Sequence, residues 1–165
     1  MNTPSPSVVG LEVPDFTLPA TGGKTFRLGA LRGRPLVIYF YPKDSTPGCT
    51  SEAGQFRDLH GEFVQAGATV WGVSRDSLKS HENFKARLGL PFELLCDAEA
   101  TACRLFDVIK MKTLYGKQVQ GIERSTFVID RAGRVARAWR GVRVDNHAAE
   151  VLAIVKTLQS ADAAP

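Results

Sequence analysis

The chain has 165 residues, 44% hydrophobic and 23% charged, with a formal net charge of +4, an ordinary balance for one globular domain large enough to bury a core. No apolar run approaches the roughly 18 residues that would span a membrane, and the opening MNTPSPSVVG has neither the basic nor the apolar region of a signal peptide. A cytoplasmic protein with no membrane partner is therefore expected, as one domain over residues 1–165 with flexible arms at 1–9 and 160–165.

Residues 15–18 (DFTL) and 24–28 (KTFRL) flank ATGG, a pattern that predicts a β-hairpin flap ahead of the main sheet. Leu36–Tyr41 is a continuous apolar run rich in β-formers, ended by Pro42; it reads as a central strand covered on both faces. A helix follows, with Thr46 as N-cap, Pro47 at the first helical position and Cys49 at the third. Phe56, Leu59 and Phe63 mark its core face, and Gly67 stops it. Ala68–Ser74 is a second buried strand. Asp76 or Ser77 caps a helix over Leu78–Leu88, closed by Gly89 and Pro91.

Residues 92–95 form a short strand, and Asp97 caps a short helix holding Cys103, Leu105 and Phe106. Lys110–Gln120 is polar and contains Gly116, which reads as a loop. Ser125–Asp130 and Val135–Trp139 make a hairpin around Arg-Ala-Gly. Asp145 or Asn146 opens the last helix, with Ala148, Val151, Leu152, Val155 and Leu158 on one face. Strands alternating with helices argue an α/β sandwich with a terminal antiparallel hairpin.

Three cysteines at wide, uneven spacing, Cys49, Cys96 and Cys103, make neither a disulfide framework nor a zinc site, since no CxxC pair occurs. Arg131, Arg134, Arg137, Arg140 and Arg143 recur every three residues, and on a strand that spacing alternates between faces. No nucleic-acid partner is expected from the basic balance.

Chemistry concentrates at the strand-to-helix turn. A thiol in the first turn of a helix meets backbone N–H groups and the positive end of the helix dipole, both of which favour the thiolate. The loop before it is polar (Lys43, Asp44, Ser45, Thr46), and Gly48 allows close approach to the backbone. The bland alternative for Cys49 is a small buried hydrophobe. Thr46 could be a simple N-cap or could hydrogen-bond the sulfur or an incoming oxygen. Asp44 and Glu52 are equally open, and a helix start alone would account for Glu52.

The segment PKDSTPGCTSEAGQFRD at 42–58 resembles the active-site segment of peroxiredoxins, in particular the bacterioferritin comigratory protein (PrxQ) subgroup. The family pattern P-x-x-x-T/S-x-x-C is met by Pro42, Thr46 and Cys49. The likeness continues through GVSRDS at 72–77, SHENF at 80–84 and LYGKQVQGIERSTFVID at 114–130. It implies a thioredoxin fold, a three-layer α/β/α sandwich, and a thiol-dependent peroxidase that needs no metal, haem or flavin. Cys49 matches the peroxidatic cysteine and Arg124 the active-site arginine. Thr46, Gly48 and Arg124 would hold the peroxide, and Pro42 would shield the sulfur.

Many members of the subgroup carry a resolving cysteine five residues after the first, where this chain has Gly54; others carry it in the next helix, where this chain has none. Cys96 and Cys103 read as buried small residues. The expectation is a one-cysteine cycle in a monomer, with thioredoxin, glutaredoxin or glutathione as external thiol. A two-cysteine cycle through Cys96 or Cys103, and a peroxide-responsive sensor or holdase, are the competing readings. A disulfide reductase is disfavoured because Cys49-Thr50-Ser51-Glu52 lacks the second thiol of CxxC.

Overall fold

The computed structural model describes residues 8–163. A seven-stranded sheet is built from β1 (Thr17–Ala20), β2 (Lys24–Arg27), β3 (Leu36–Phe40), β4 (Thr69–Ser74), β5 (Glu93–Cys96), β8 (Ser125–Ile129) and β9 (Val135–Arg140), in the spatial order β2-β1-β5-β4-β3-β8-β9. All five residues of β3 are buried. It pairs parallel with β4 on one side and antiparallel with β8 on the other, as its unbroken apolar run requires.

Alternation along β3 feeds two cores. Leu36, Ile38 and Phe40 join Trp71, Leu95, Cys103, Phe106 and Phe127 on one face. Val37, Tyr39 and Tyr41 join Cys49, Phe56, Phe63, Phe84, Leu94 and Val151 on the other. Helices α1 (Pro47–Gln65), α2 (Leu78–Leu88) and α4 (His147–Ala163) contribute to the second face, while the short α3 (Thr101–Leu105) contributes to the first. The fold is the thioredoxin-like α/β sandwich expected from the resemblance.

Local chemistry explains most element ends. Pro47 takes the first position of α1, and Gly67, at φ 82°, terminates it in the left-handed conformation that glycine adopts without strain. Ser77 accepts from Ser80 N at 3.1 Å, and Gly89 closes α2 at φ 62°. Phe56 and Phe63 are fully buried; truncating either to alanine would cost about 3–5 kcal/mol. Gly72 lies opposite Tyr39, and a Cβ there would sit within 2.9 Å of the Tyr39 ring and hydroxyl, so only glycine lets that ring cross β4.

Three expectations change. Residues 110–120 are not a loop: β6 (Ile109–Leu114) and β7 (Lys117–Ile122) form a separate two-stranded hairpin. Tyr115 and Gly116 both have positive φ, 53° and 77°, the signature of a tight primed turn; polarity hid the strands because their side chains are largely exposed. The N-terminal hairpin is no detached flap, since Ala20 pairs with Leu95 and makes β1 part of the main sheet. The reason is burial of Leu18 and Ala20 in the first core. Helix α4 runs to Ala163, into the stretch expected as a loose arm; residues 1–7 and 164–165 of the expected arms lie outside the described residues. Two arginines of the run bond to carbonyls of distant segments: Arg134 donates to Gly10 O, and Arg140 to the carbonyls of Phe106 and Asp107.

Candidate active site

The site lies where β3 ends and α1 begins. Tyr41 N donates to Val73 O at 3.1 Å and carries the parallel pairing one residue past β3. The chain then turns through Pro42–Thr46, with Ser45 at φ 67°, a conformation that costs a non-glycine residue energy unless its surroundings hold it. Cys49 is third in α1 and only 1% exposed.

Arg124 comes from 75 residues further along. Ser125 pairs with Phe40, and Val142 N donates to Arg124 O at 2.9 Å, so sheet pairing sets the arginine beside the C-terminal end of β3. Its guanidinium forks, Nη2 donating to Cys49 Sγ at 3.5 Å and Nη1 to Glu52 Oε1 at 2.7 Å. Burial works against its charge, but Glu52 and Cys49 outweigh burial and hold the guanidinium more firmly protonated than usual. Gly48 is part of this contact: a Cβ there would stand 3.0 Å from Arg124 Nη2. What approaches the backbone closely at Gly48 is the arginine.

Glu52 is the member that sequence reasoning left open. It lies beyond the first turn of α1, is 1% exposed, and its role is the ion pair with Arg124. Burial pushes its carboxyl up, opposed by Arg124, to about 7. Its Oε2 is buried without a hydrogen-bond partner, as is the hydroxyl of Tyr39. Tyr39 is held protonated by burial and then by the charges of Glu52 and Cys49. Position i+3 from Cys49 on one helix face was the available signal for Glu52.

Thr46 stands at the N-cap position, yet its hydroxyl does not cap the helix; Oγ1 donates to Lys43 O at 2.9 Å and braces the loop. Pro42 is half-buried at the start of that loop. Asp44 is buried beneath it, accepting from Tyr41 OH at 2.6 Å and from Ser80 Oγ at 2.8 Å.

All three cysteines are free thiols. Cys103 packs in the core on the opposite face of the sheet from Cys49, and burial, reinforced by Asp97, raises its thiol well above the ordinary range. Ala100, not Asp97, holds the N-cap position of α3, while Asp97 reaches in from the preceding turn to accept from the amides of Ala102 and Cys103. Cys96 is half-buried at the end of β5 and lines a cavity of about 310 Å³ with Pro19 and Glu99. A Cβ at Gly54 would meet only Arg57, at 3.6 Å, so that position could sterically hold a side chain but offers no thiol.

Residues 9–138 match the AhpC/TSA family. The peroxiredoxin Bcp of Xanthomonas campestris is 55% identical over 150 residues, spanning 88% of this chain and 94% of the relative. That of Bacillus subtilis is 47% identical over 150 residues, spanning 91% and 96%. A solved structure of the X. campestris bacterioferritin comigratory protein superposes with a TM-score of 0.87 at 52% identity, covering 92% of this chain and 99% of the other. The chain thus belongs to the AhpC/TSA family and is a peroxiredoxin, a thiol-dependent peroxidase.

Proposed function

We propose that Cys49 is the peroxidatic residue and that it works in a one-cysteine cycle on hydrogen peroxide and organic hydroperoxides. The observation that carries the reading is the fork of Arg124, one arm on the sulfur at the start of α1 and the other on a buried carboxylate. The guanidinium at the sulfur and the N-terminus of α1 set two sources of positive potential beside the attacking atom.

The thiolate attacks the terminal oxygen of ROOH. The S–O bond forms as the O–O bond breaks, RO⁻ leaves and takes a proton, and Cys49 becomes sulfenic acid. Arg124 stabilises charge on the departing oxygen. Thr46 has its proton engaged by Lys43 O, so its lone pairs are available to accept from the peroxide O–H. Pro42 screens the sulfur from water, and the amides at Gly48 and Cys49 complete the anion-binding surface. Organic hydroperoxides are included because the X. campestris relative is described by its alkyl peroxide reduction activity.

An external thiol (glutathione, glutaredoxin or thioredoxin) then attacks the sulfenic sulfur and releases water, and a second thiol frees Cys49. Support for an external thiol is the burial of Cys103 behind the sheet and the glycine at position 54. Cys96 is the better-placed internal alternative, because strand alternation puts it on the face of Leu94, the Cys49 side. We read the chain as one cytoplasmic, monomeric domain.

The test is peroxide consumption by wild type, Cys49→Ser, Cys96→Ser and Cys103→Ser with each thiol donor, followed by mass spectrometry after one equivalent of peroxide. Only Cys49→Ser should lose turnover, and wild type should carry one added oxygen on Cys49. An intramolecular disulfide would refute the one-cysteine cycle, and a single oxidation without turnover would favour a sensor.

A further inference from the structure

The loop that carries Pro42 and Thr46 is held from below by a buried polar cluster. Asp44 Oδ1 accepts from Tyr41 OH at 2.6 Å, and Oδ2 accepts from Ser80 Oγ at 2.8 Å and faces His81 Nδ1 at 2.7 Å. The Asp44 amide donates to Asp76 Oδ2, which also accepts from Ser74 Oγ. Next along the loop, the left-handed Ser45 accepts from Arg87 of α2 at 2.6 Å. The loop is thus gripped by β4, the β4–α2 turn and both ends of α2.

His81 is fully buried, and both of its ring nitrogens face acceptors. Nε2 lies 2.9 Å from Leu95 O, a group that only accepts, so Nε2 carries a proton. Burial disfavours the charged form of Asp44, but donors from His81, Tyr41 and Ser80 outweigh it and hold the carboxyl below its ordinary range. Nδ1 and Asp44 Oδ2, 2.7 Å apart, share a hydrogen bond. A buried carboxylate engaged on both oxygens has the geometry that defines one arrangement over its alternatives, because breaking the cluster leaves a buried polar group short of a partner.

We propose that His81 is a positioning residue for the peroxide step: its buried hydrogen bond with Asp44 latches the loop bearing Pro42 and Thr46 to α2 and β5. This rests on Cys49 being the reacting sulfur. His81 touches neither Cys49 nor Arg124; it acts by fixing where the loop, and so the far wall of the peroxide site, stands. The latch also accounts for Ser45 persisting at φ 67°, since the clamp on either side of it compensates that strain.

Two near-isosteric substitutions separate this role from packing. In His81→Asn the amide nitrogen takes the place of Nδ1, keeping a donor for Asp44 and losing the link to Leu95. In His81→Gln it takes the place of Nε2, keeping Leu95 and leaving Asp44 short of a donor. Each variant is reduced and mixed with hydrogen peroxide in a single turnover, and alkylation of Cys49 by iodoacetamide is timed in parallel. The Gln variant should react with peroxide about tenfold or more slowly, the scale of loss from a misplaced binding wall. The Asn variant should stay near wild type, and alkylation should be unchanged in both.

Equal losses in the two variants, no loss in the Gln variant, or a matching fall in alkylation each overturn the proposal. Should His81→Gln fail to fold, Asp44→Asn is read in its place, with the same loss expected and an unchanged rate refuting the latch. Turnover surviving in Cys49→Ser would instead show that the site assignment itself has failed, whatever the His81 variants do.

Discussion

Replacing Glu52 with glutamine tests the electrostatics of the site through folding stability. In the folded protein, burial raises the Glu52 carboxyl from 4.5 to about 7 even with Arg124 beside it. Between those two values the unfolded chain ionises Glu52 while the folded chain keeps its proton. Folding is therefore penalised progressively as pH rises through that window, and the penalty is complete above it. A shift of that size, at about 1.4 kcal/mol per pH unit, amounts to on the order of 3 kcal/mol. Glutamine keeps an acceptor for Arg124 and cannot ionise. The free energy of unfolding, from urea titrations of reduced protein at several pH values from 4.5 to 7.5, should fall for wild type relative to Glu52→Gln by that order. Groups unaffected by the substitution cancel in the difference. Parallel pH dependences, with a constant offset between the two proteins, would refute the claim that Glu52 is a desolvated carboxyl only partly compensated by Arg124.

Arg124→Lys keeps a positive charge but not the fork that serves Cys49 and Glu52 together; the peroxide rate should fall by about 10²–10³, as when one oxyanion donor is lost, and a wild-type rate in stopped flow would contradict that role. Gly48→Ala puts a Cβ 3.0 Å from Arg124 Nη2. Stability should hold or rise by roughly 0.5–1 kcal/mol from helix propensity, while the peroxide rate drops roughly tenfold as the guanidinium is displaced; unchanged turnover would show that its placement has slack. In Gly54→Cys, positions i and i+5 of a helix have Cα atoms about 8–9 Å apart, beyond the roughly 7 Å that a disulfide can bridge. Peroxide should therefore form a 49–54 disulfide only with loss of helical ellipticity at the start of α1, and a disulfide formed with full ellipticity would refute this.

Acidification gives one more reading. Burial holds His147 neutral, lowering its value to about 4, with Glu150 opposing and Arg124 assisting. The unfolded chain binds that proton first as pH falls from 6.5, so this residue should drain stability toward pH 4. His147→Gln should flatten that limb of the unfolding curve, and an identical limb would exclude His147 as its source.

Several elements were legible because one local rule decided each. The apolar run at 36–41 had to be a buried strand, and Thr46-Pro47 followed by Cys49 had to start a helix. The β6–β7 hairpin escaped because exposed strands lack the hydrophobic alternation that betrays a half-buried one. Glu52 stayed open because a carboxylate near a helix start has a sufficient local explanation. Its actual partner is 72 positions away in the sequence. His81 drew notice only as part of a likeness to other chains, since a histidine on a helix carries no mark of what lies beneath the neighbouring loop.

The amino-acid sequence by itself determined the place of Cys49 at a helix start, the α/β order of elements and the absence of a cysteine at position 54. Those are consequences of residue identity and short-range geometry. Only the tertiary structure decided that Arg124 forks between Cys49 and Glu52, that Cys103 lies behind the sheet, and that Asp44 and His81 grip the loop. Each of these depends on strand order and register, which bring distant residues within hydrogen-bond reach, and on burial, which sets the charge state of the carboxyl groups once they arrive.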